Sequence, residues 1–263
     1  MKKTQRKTNF SSNKNGIEIL EQIYSFRCLT LEQLYKLMYD SWEVDIRLLK
    51  KLKGELENYL NRGVLISKEH RKGEVFFLTA LGVNLIRTCD TSVNVLDEGK
   101  TTVEDYHIAS EMDVSPEFLN HQVNLNDFVV NFALDRGDVD MHYSNEKLIH
   151  DFHFTKPNGI LSILENHFFL EMDMSTKGED QLCEKAKNYL RILGSPEFKN
   201  LDGKLIVLLI MQETDNTQER IDQIKNSFIK PLTDKVGERF EVYAGTREDL
   251  YEVLHRIIGS KRG

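Results

Sequence analysis

Leu205-Ile206-Val207-Leu208-Leu209-Ile210-Met211 is an unbroken apolar run of strand length. A strand apolar at every position is buried on both faces, whereas a half-exposed strand alternates apolar with polar residues. A sheet built around such a strand needs covering layers, and the flanking segments supply them. Ser115-Pro116-Glu117 is a helix start, and Phe118, His121, Leu125, Phe128, Val129 and Phe132 then share one helical face up to Gly137. Further helices are expected over 178–193, around Ile221, Ile224, Phe228 and Ile229, and over 247–258. Strands are expected at 139–143, 160–164, 168–174 and 240–243. Helix, three strands, helix, strand, helix, strand, helix describes an α/β sandwich around a central mixed sheet.

One of those strands carries the most unusual chemistry. In Phe168-Phe169-Leu170-Glu171-Met172-Asp173-Met174, alternation puts Glu171 and Asp173 on one face and Leu170, Met172 and Met174 on the other. Two carboxylates sharing one spot in an apolar strand repel unless a cation, a lysine or water lies between them. The plainer alternative is an edge strand whose acidic face meets solvent. The strand is expected to form a hairpin with 160–164 through Glu165-Asn166-His167, and to lead into a charged helix holding Lys185 and Lys187. His121 lies on an apolar helical stripe, where a hydrogen-bonded core histidine is commoner than a ligand or base.

The first third of the chain reads differently. Residues 1–15, with Lys2, Lys3, Arg6, Lys7 and Lys14, lack hydrophobic periodicity and are expected to form a flexible basic arm. Ile17, Leu20, Ile23 and Tyr24 then mark a helix. Thr30 and Gln33 form a T-x-x-Q capping box for a second helix buried through Leu31, Leu34, Tyr35 and Met38. A longer helix follows with Leu48, Leu49, Leu52, Leu56, Tyr59 and Leu60 on one side, and Arg62-Gly63 ends it. Two strands, 64–66 and 75–78, flank the basic turn of Lys68, His70, Arg71, Lys72 and Gly73, and a last helix follows from Thr79. This order resembles a winged helix-turn-helix over residues 16–88. Its third helix would enter the major groove, and its hairpin tip would reach phosphates. Arg47, Lys50, Lys51, Lys68, Arg71 and Lys72 are the candidate DNA contacts.

Charge supports the division. Residues 1–88 hold 16 Lys and Arg against 10 Asp and Glu, leaving 19 against 32 for the remainder, so a basic module is joined to an acidic one. Nucleic acid, double-stranded DNA first, is the expected partner of the basic part. Residues 89–114, polar and acidic, are the expected linker, with an α/β domain over 115–263. Cys28, Cys89 and Cys183 are scattered and suggest neither disulfides nor a cysteine-bound metal. Without a membrane-length apolar run or a signal peptide, the chain is expected to be cytoplasmic and to make no membrane contact. Walker-type glycine loops, G-x-S-x-G and H-E-x-x-H do not occur.

The segments H-Q-V-N-L-N-D at His121, K-P-N-G-I-L-S-I at Lys156, F-F-L-E-M-D-M-S-T at Phe168 and K-A-K-N-Y at Lys185 together resemble the replication-relaxation family of plasmid and mobile-element proteins. The resemblance implies a winged helix-turn-helix joined to a restriction-endonuclease-like domain, α+β overall. It carries over His121, Glu171, Asp173, Thr176, Lys185 and Tyr189. At one place it breaks: Asn158 stands where a Pro-Asp pair is expected. In nucleases of similar fold that aspartate and a following acid hold Mg²⁺ while a lysine positions the attacking water. The strand also reads E-x-D where active nucleases have E-x-K. The metal-ligand candidates are thus Glu171, Asp173 and Asn158, and the catalytic candidates Glu171, Asp173, Lys185 and His121, with Mg²⁺ as cofactor only if the site is active. The favoured expectation is a DNA-binding accessory protein of a plasmid or mobile element, acting in replication, relaxation or transfer or its regulation, with a weak or inactive nuclease-like domain. The alternatives are a metal-dependent endonuclease or nickase, and a transcriptional repressor. A homodimer and replication or transfer proteins are the further partners expected.

Overall fold

The computed structural model describes residues 16–89, 114–137, 139–145, 157–174, 178–212, 217–233 and 237–259. The expected basic arm, nearly all of the expected linker, and Thr176 lie outside the described residues. The chain divides into two compact units, Met1–Asp140 and Met141–Gly263.

In the first unit, α1 (Gly16–Phe26), β1 (Leu29–Thr30), α2 (Leu31–Tyr39), α3 (Ile46–Asn61), β2 (Leu65–His70), β3 (Gly73–Leu78) and α4 (Ala80–Cys89) follow one another. The three strands form an antiparallel sheet in the order β1-β3-β2, with Leu29 opposite Phe76 and Leu65 opposite Leu78. The Thr30 capping box forms as read: Gln33 N–H donates to Thr30 Oγ1 at 3.2 Å, and Thr30 N–H donates to Gln33 Oε1 at 2.9 Å. β1 was not foreseen, because two residues are too few for any periodic signal.

The helix α5 (Pro116–Asp135) begins as expected, with Ser115 Oγ accepting from Phe118 N–H at 3.1 Å. Its place differs from the expectation. It lies in the first unit, where it packs on α2, β1 and β2, instead of opening the second domain. Leu119 and Val123 join Cys28, Val75 and Phe77 in one apolar cluster. Gln122 and Asn126 are buried on the same helix, their amides satisfied by donating to the carbonyls of Phe26 at the end of α1 and, for Asn126, of Cys28 just beyond it. Helical spacing reveals an apolar face but not its partner, so the sequence could not assign α5 to a unit.

The second unit holds a five-stranded mixed sheet in the order β4-β5-β6-β7-β8, from β4 (Met141–Asn145), β5 (Gly159–Ile163), β6 (Asn166–Asp173), β7 (Lys204–Met211) and β8 (Phe240–Gly245). β4, β5 and β6 pair antiparallel, while β6, β7 and β8 run parallel. The parallel pairs are joined through α6 (Glu179–Gly194) with α7 (Pro196–Asn200), and through α8 (Thr217–Ile224), a π-helical turn (Lys225–Ile229) and α9 (Lys230–Leu232). α10 (Arg247–Gly259) closes the chain and packs on β7 and β8. All seven residues of the apolar run are buried in β7, so the strand that fixed the fold class occupies the middle of the parallel part. Phe169, Leu182, Tyr189, Leu205, Val207 and Phe228 belong to one core between sheet and helices.

The β5–β6 turn is tighter than expected, consisting of Leu164 and Glu165, with Leu164 at φ +56°. Its position is pinned by Lys204 N–H donating to Glu165 O at 3.1 Å. Gly203, at φ +76°, approaches so closely that a Cβ there would lie 1.5 Å from Glu165 O, which only glycine accommodates.

Candidate nucleic-acid interface and acidic site

In the first unit the α2–α3 connection is fixed by one hydroxyl. Tyr35 OH donates to Glu43 O at 3.3 Å and accepts from Asp45 N–H at 2.8 Å. Asp40 ends α2 in the left-handed conformation, and Asp45 caps α3 by accepting from Arg47 N–H at 2.7 Å and Leu48 N–H at 3.4 Å. The Arg47 N–H above all holds the Asp45 carboxyl below its usual range. α3 buries Leu52 and Leu56 and turns Ile46, Arg47, Lys50, Lys51, Lys53 and Gly54 to solvent. Arg47 lies 3.5 Å from Asp45 and Lys51 3.9 Å from Glu55, both loose pairs at the surface, and such pairs contribute little.

The hairpin candidates separate. Arg71 is exposed at the tip and Lys68 is half-buried on β2. Lys72 instead reaches back to α5, where its Nζ pairs with Asp127 and donates to Asn124 Oδ1 at 2.9 Å. Asp127 also accepts from Gln33 Nε2 at 2.6 Å. One carboxylate therefore ties the hairpin tip and α2 to the same helix. Nothing in the basic turn itself signalled this, since Asp127 lies 55 residues further along the chain.

In the second unit Glu171 and Asp173 do share one face of β6, but it is neither open nor solvent-facing: they are 2% and 3% exposed. Each has its own cation. Lys185 Nζ pairs with Glu171 Oε2, and Tyr189 OH donates to Glu171 Oε1 at 2.7 Å. Arg220 grips Asp173 with two parallel bonds, Nε to Oδ2 and Nη2 to Oδ1, both 2.7 Å. The pairing with Asp173 raises Arg220 above its ordinary pKa. Burial first, then the charge of Glu171, pushes the Tyr189 phenol well above its usual value. An edge strand with a wet acidic face is thereby ruled out: β6 is an inner strand between β5 and β7.

Asn158 does not turn its amide oxygen to these carboxylates. Oδ1 accepts from Met172 N–H at 2.9 Å, while Asn158 N–H donates to Leu170 O at 2.9 Å, so the residue prolongs the β5–β6 ladder. His121 is half-buried on α5 of the first unit. Among the described residues no group of three or more His, Cys, Asp or Glu side chains is placed to hold a metal ion. The structure thus brings together Glu171, Lys185 and Tyr189 from the sequence candidates. It adds Arg220, which was missed. A signal existed: Arg220 lies four residues before Ile224 and eight before Phe228, so it is a charge on that helix's apolar stripe.

No described helix is long and apolar enough to cross a membrane. A family model described as replication-relaxation matches residues 20–208, from α1 into β7. No curated protein and no solved structure matches the chain.

Proposed function

The chain belongs to the replication-relaxation family, and from that premise we propose that it is a DNA-binding accessory protein of a plasmid or other mobile element, acting in replication, relaxation or transfer. The first unit reads as a winged helix-turn-helix, with α2 and α3 as the helix pair, β2–β3 as the wing and α5 as a brace behind them. Arg47, Lys50 and Lys51 on α3 and Arg71 at the hairpin tip are its DNA contacts. Lys72 holds the tip in place.

The second unit reads as a restriction-endonuclease-like domain without hydrolytic chemistry. The observation that carries this is the separate neutralisation of the two carboxylates, Glu171 by Lys185 and Asp173 by Arg220, in a closed part of the core. A nuclease site keeps its carboxylates open to a hydrated divalent cation and its lysine on the attacking water. Here Mg²⁺ would have to displace an ammonium, a phenol and a bidentate guanidinium, and the neutral oxygen of Asn158 is engaged by Met172 N–H. The donor set does not fit the metal.

Incubation of the full chain with supercoiled DNA of its own element, in Mg²⁺, Mn²⁺ or EDTA, tests both halves of the proposal. Retardation that weakens steeply with salt, without nicking in either metal, is the expected result. Metal-dependent nicking lost in Glu171→Ala would establish the endonuclease instead.

A further inference from the structure

The exposed face of α3 carries a cost that the fold does not explain. Gly54 lies inside this 16-residue helix, and a Cβ there would meet no heavy atom of the described residues within 4 Å. Its conformation is ordinary, with no positive φ. Glycine in a helix interior is less favourable than any residue but proline, because its backbone loses the most freedom on folding. Neither a turn nor a close internal approach requires it. What glycine does offer at an exposed point is a bare backbone against which another surface can lie.

Its neighbours identify that surface. Helical spacing places Lys50 four residues before Gly54, Lys51 three before and Arg47 seven before, all on the same outward stripe. Ile46, 66% exposed at the start of the helix, adds an apolar group to the same end. Asp45 is engaged in capping the helix beside Arg47, and the remaining carboxylates, Glu55 and Glu57, come only after Gly54, with Glu55 leaning back to Lys51. A cationic first half with one exposed apolar side chain, followed by a single bare residue, matches a phosphate-lined groove with apolar groups at its floor. We propose that Gly54 is the point of closest approach between α3 and double-stranded DNA, the helix lying along the groove from Ile46 to Gly54. This rests on the DNA-binding reading above and adds a specific depth and register to it.

The test is a graded series at Gly54 in the full chain, with thermal unfolding and affinity for double-stranded fragments tiling its own element measured together. Gly54→Ala should raise the melting temperature of the first unit by about 2–4 °C through helix propensity alone. It should also weaken DNA binding by roughly tenfold, and Gly54→Leu should weaken it further. Improved stability with unchanged affinity in both variants would overturn the proposal, leaving the face to a protein partner or to solvent while DNA binding by the wild type stands. Lower stability in Gly54→Ala would also overturn it, because the glycine would then serve the fold. Wild-type protein that binds none of the fragments would instead remove the DNA reading itself.

Discussion

Replacing Arg220 by methionine should expose how the acidic strand is held. The guanidinium makes two 2.7 Å bonds to Asp173, and both side chains are more than nine-tenths buried, at 9% and 4% exposure. Methionine fills much of the same volume but leaves the carboxylate among apolar residues without its partner. Breaking a buried pair from one side costs about 3–5 kcal/mol, most of it the penalty of the stranded charge. Removing both partners, as in Arg220→Met with Asp173→Leu, should return stability to within about 1 kcal/mol of the wild type, or exceed it. The single tryptophan, Trp42, lies in the first unit and cannot report this. Amide exchange of peptides from β6 and β7 can, and protection there should fall by roughly 10²- to 10⁴-fold in the single variant and recover in the double. Millimolar Mg²⁺ should leave the wild-type protection unchanged. If Arg220→Met exchanged like the wild type, or Mg²⁺ stabilised the wild type, Asp173 would not depend on Arg220 and the closed-site argument would fail.

Two other substitutions probe the remaining contacts. Tyr189→Phe keeps the ring packing against Phe228 but removes the bond to Glu171, and should cost about 1–3 kcal/mol at neutral pH. The folded phenol titrates above its ordinary value, so its contribution is complete below pH ~10 and is lost as pH rises through the raised value. The gap between Tyr189→Phe and wild type in urea unfolding should accordingly narrow in strong alkali, and a gap constant with pH would contradict the assignment. Asp127→Ala removes the ion pair of Lys72 and one of the two bonds Gln33 makes to α5, leaving Lys72 on Asn124 and Gln33 on the Val123 carbonyl, and should lower the stability of the first unit by about 1–2 kcal/mol. If the hairpin tip meets phosphate, Lys72 without its neutralising carboxylate should steepen the salt dependence of DNA binding by about one phosphate contact; an unchanged slope would place the tip away from the backbone.

What the sequence disclosed depended on whether the signal was local. The Thr30–Gln33 box and the Ser115 cap are written within four residues and formed as read. The β7 run needs no knowledge of its neighbours to imply burial on both faces, and Glu171 and Asp173 fell on one face because strand alternation is geometric. Tertiary pairing was a different matter. Asp127 with Lys72, and Arg220 with Asp173, span 55 and 47 residues, and no spacing rule links positions so far apart. The same gap explains α5: its stripe announced a helix with something to bury, while the carbonyls that Gln122 and Asn126 satisfy lie nearly a hundred residues earlier.

The helix α3 and the strand β6 treat their charges in opposite ways, which bears on what each can do. On α3 the cations stay wet, with at most a loose surface partner, and a wet cation is available to a phosphate. In the second unit two buried acids are each paired, Glu171 with Lys185 and Tyr189 and Asp173 with Arg220. Stability does not account for that network, since apolar residues of similar size hold a core at least as well as buried ion pairs. Its position is telling. Glu171 and Asp173 lie opposite Leu209 and Met211 at the carboxyl end of the parallel β6–β7 pair, where open α/β sheets place their ligands. Charged groups at that edge, each turned inward onto another, support the proposal of a site without hydrolytic chemistry. The double replacement of Asp173 and Arg220 decides the point, because a network without chemistry can be exchanged for apolar side chains with DNA binding intact.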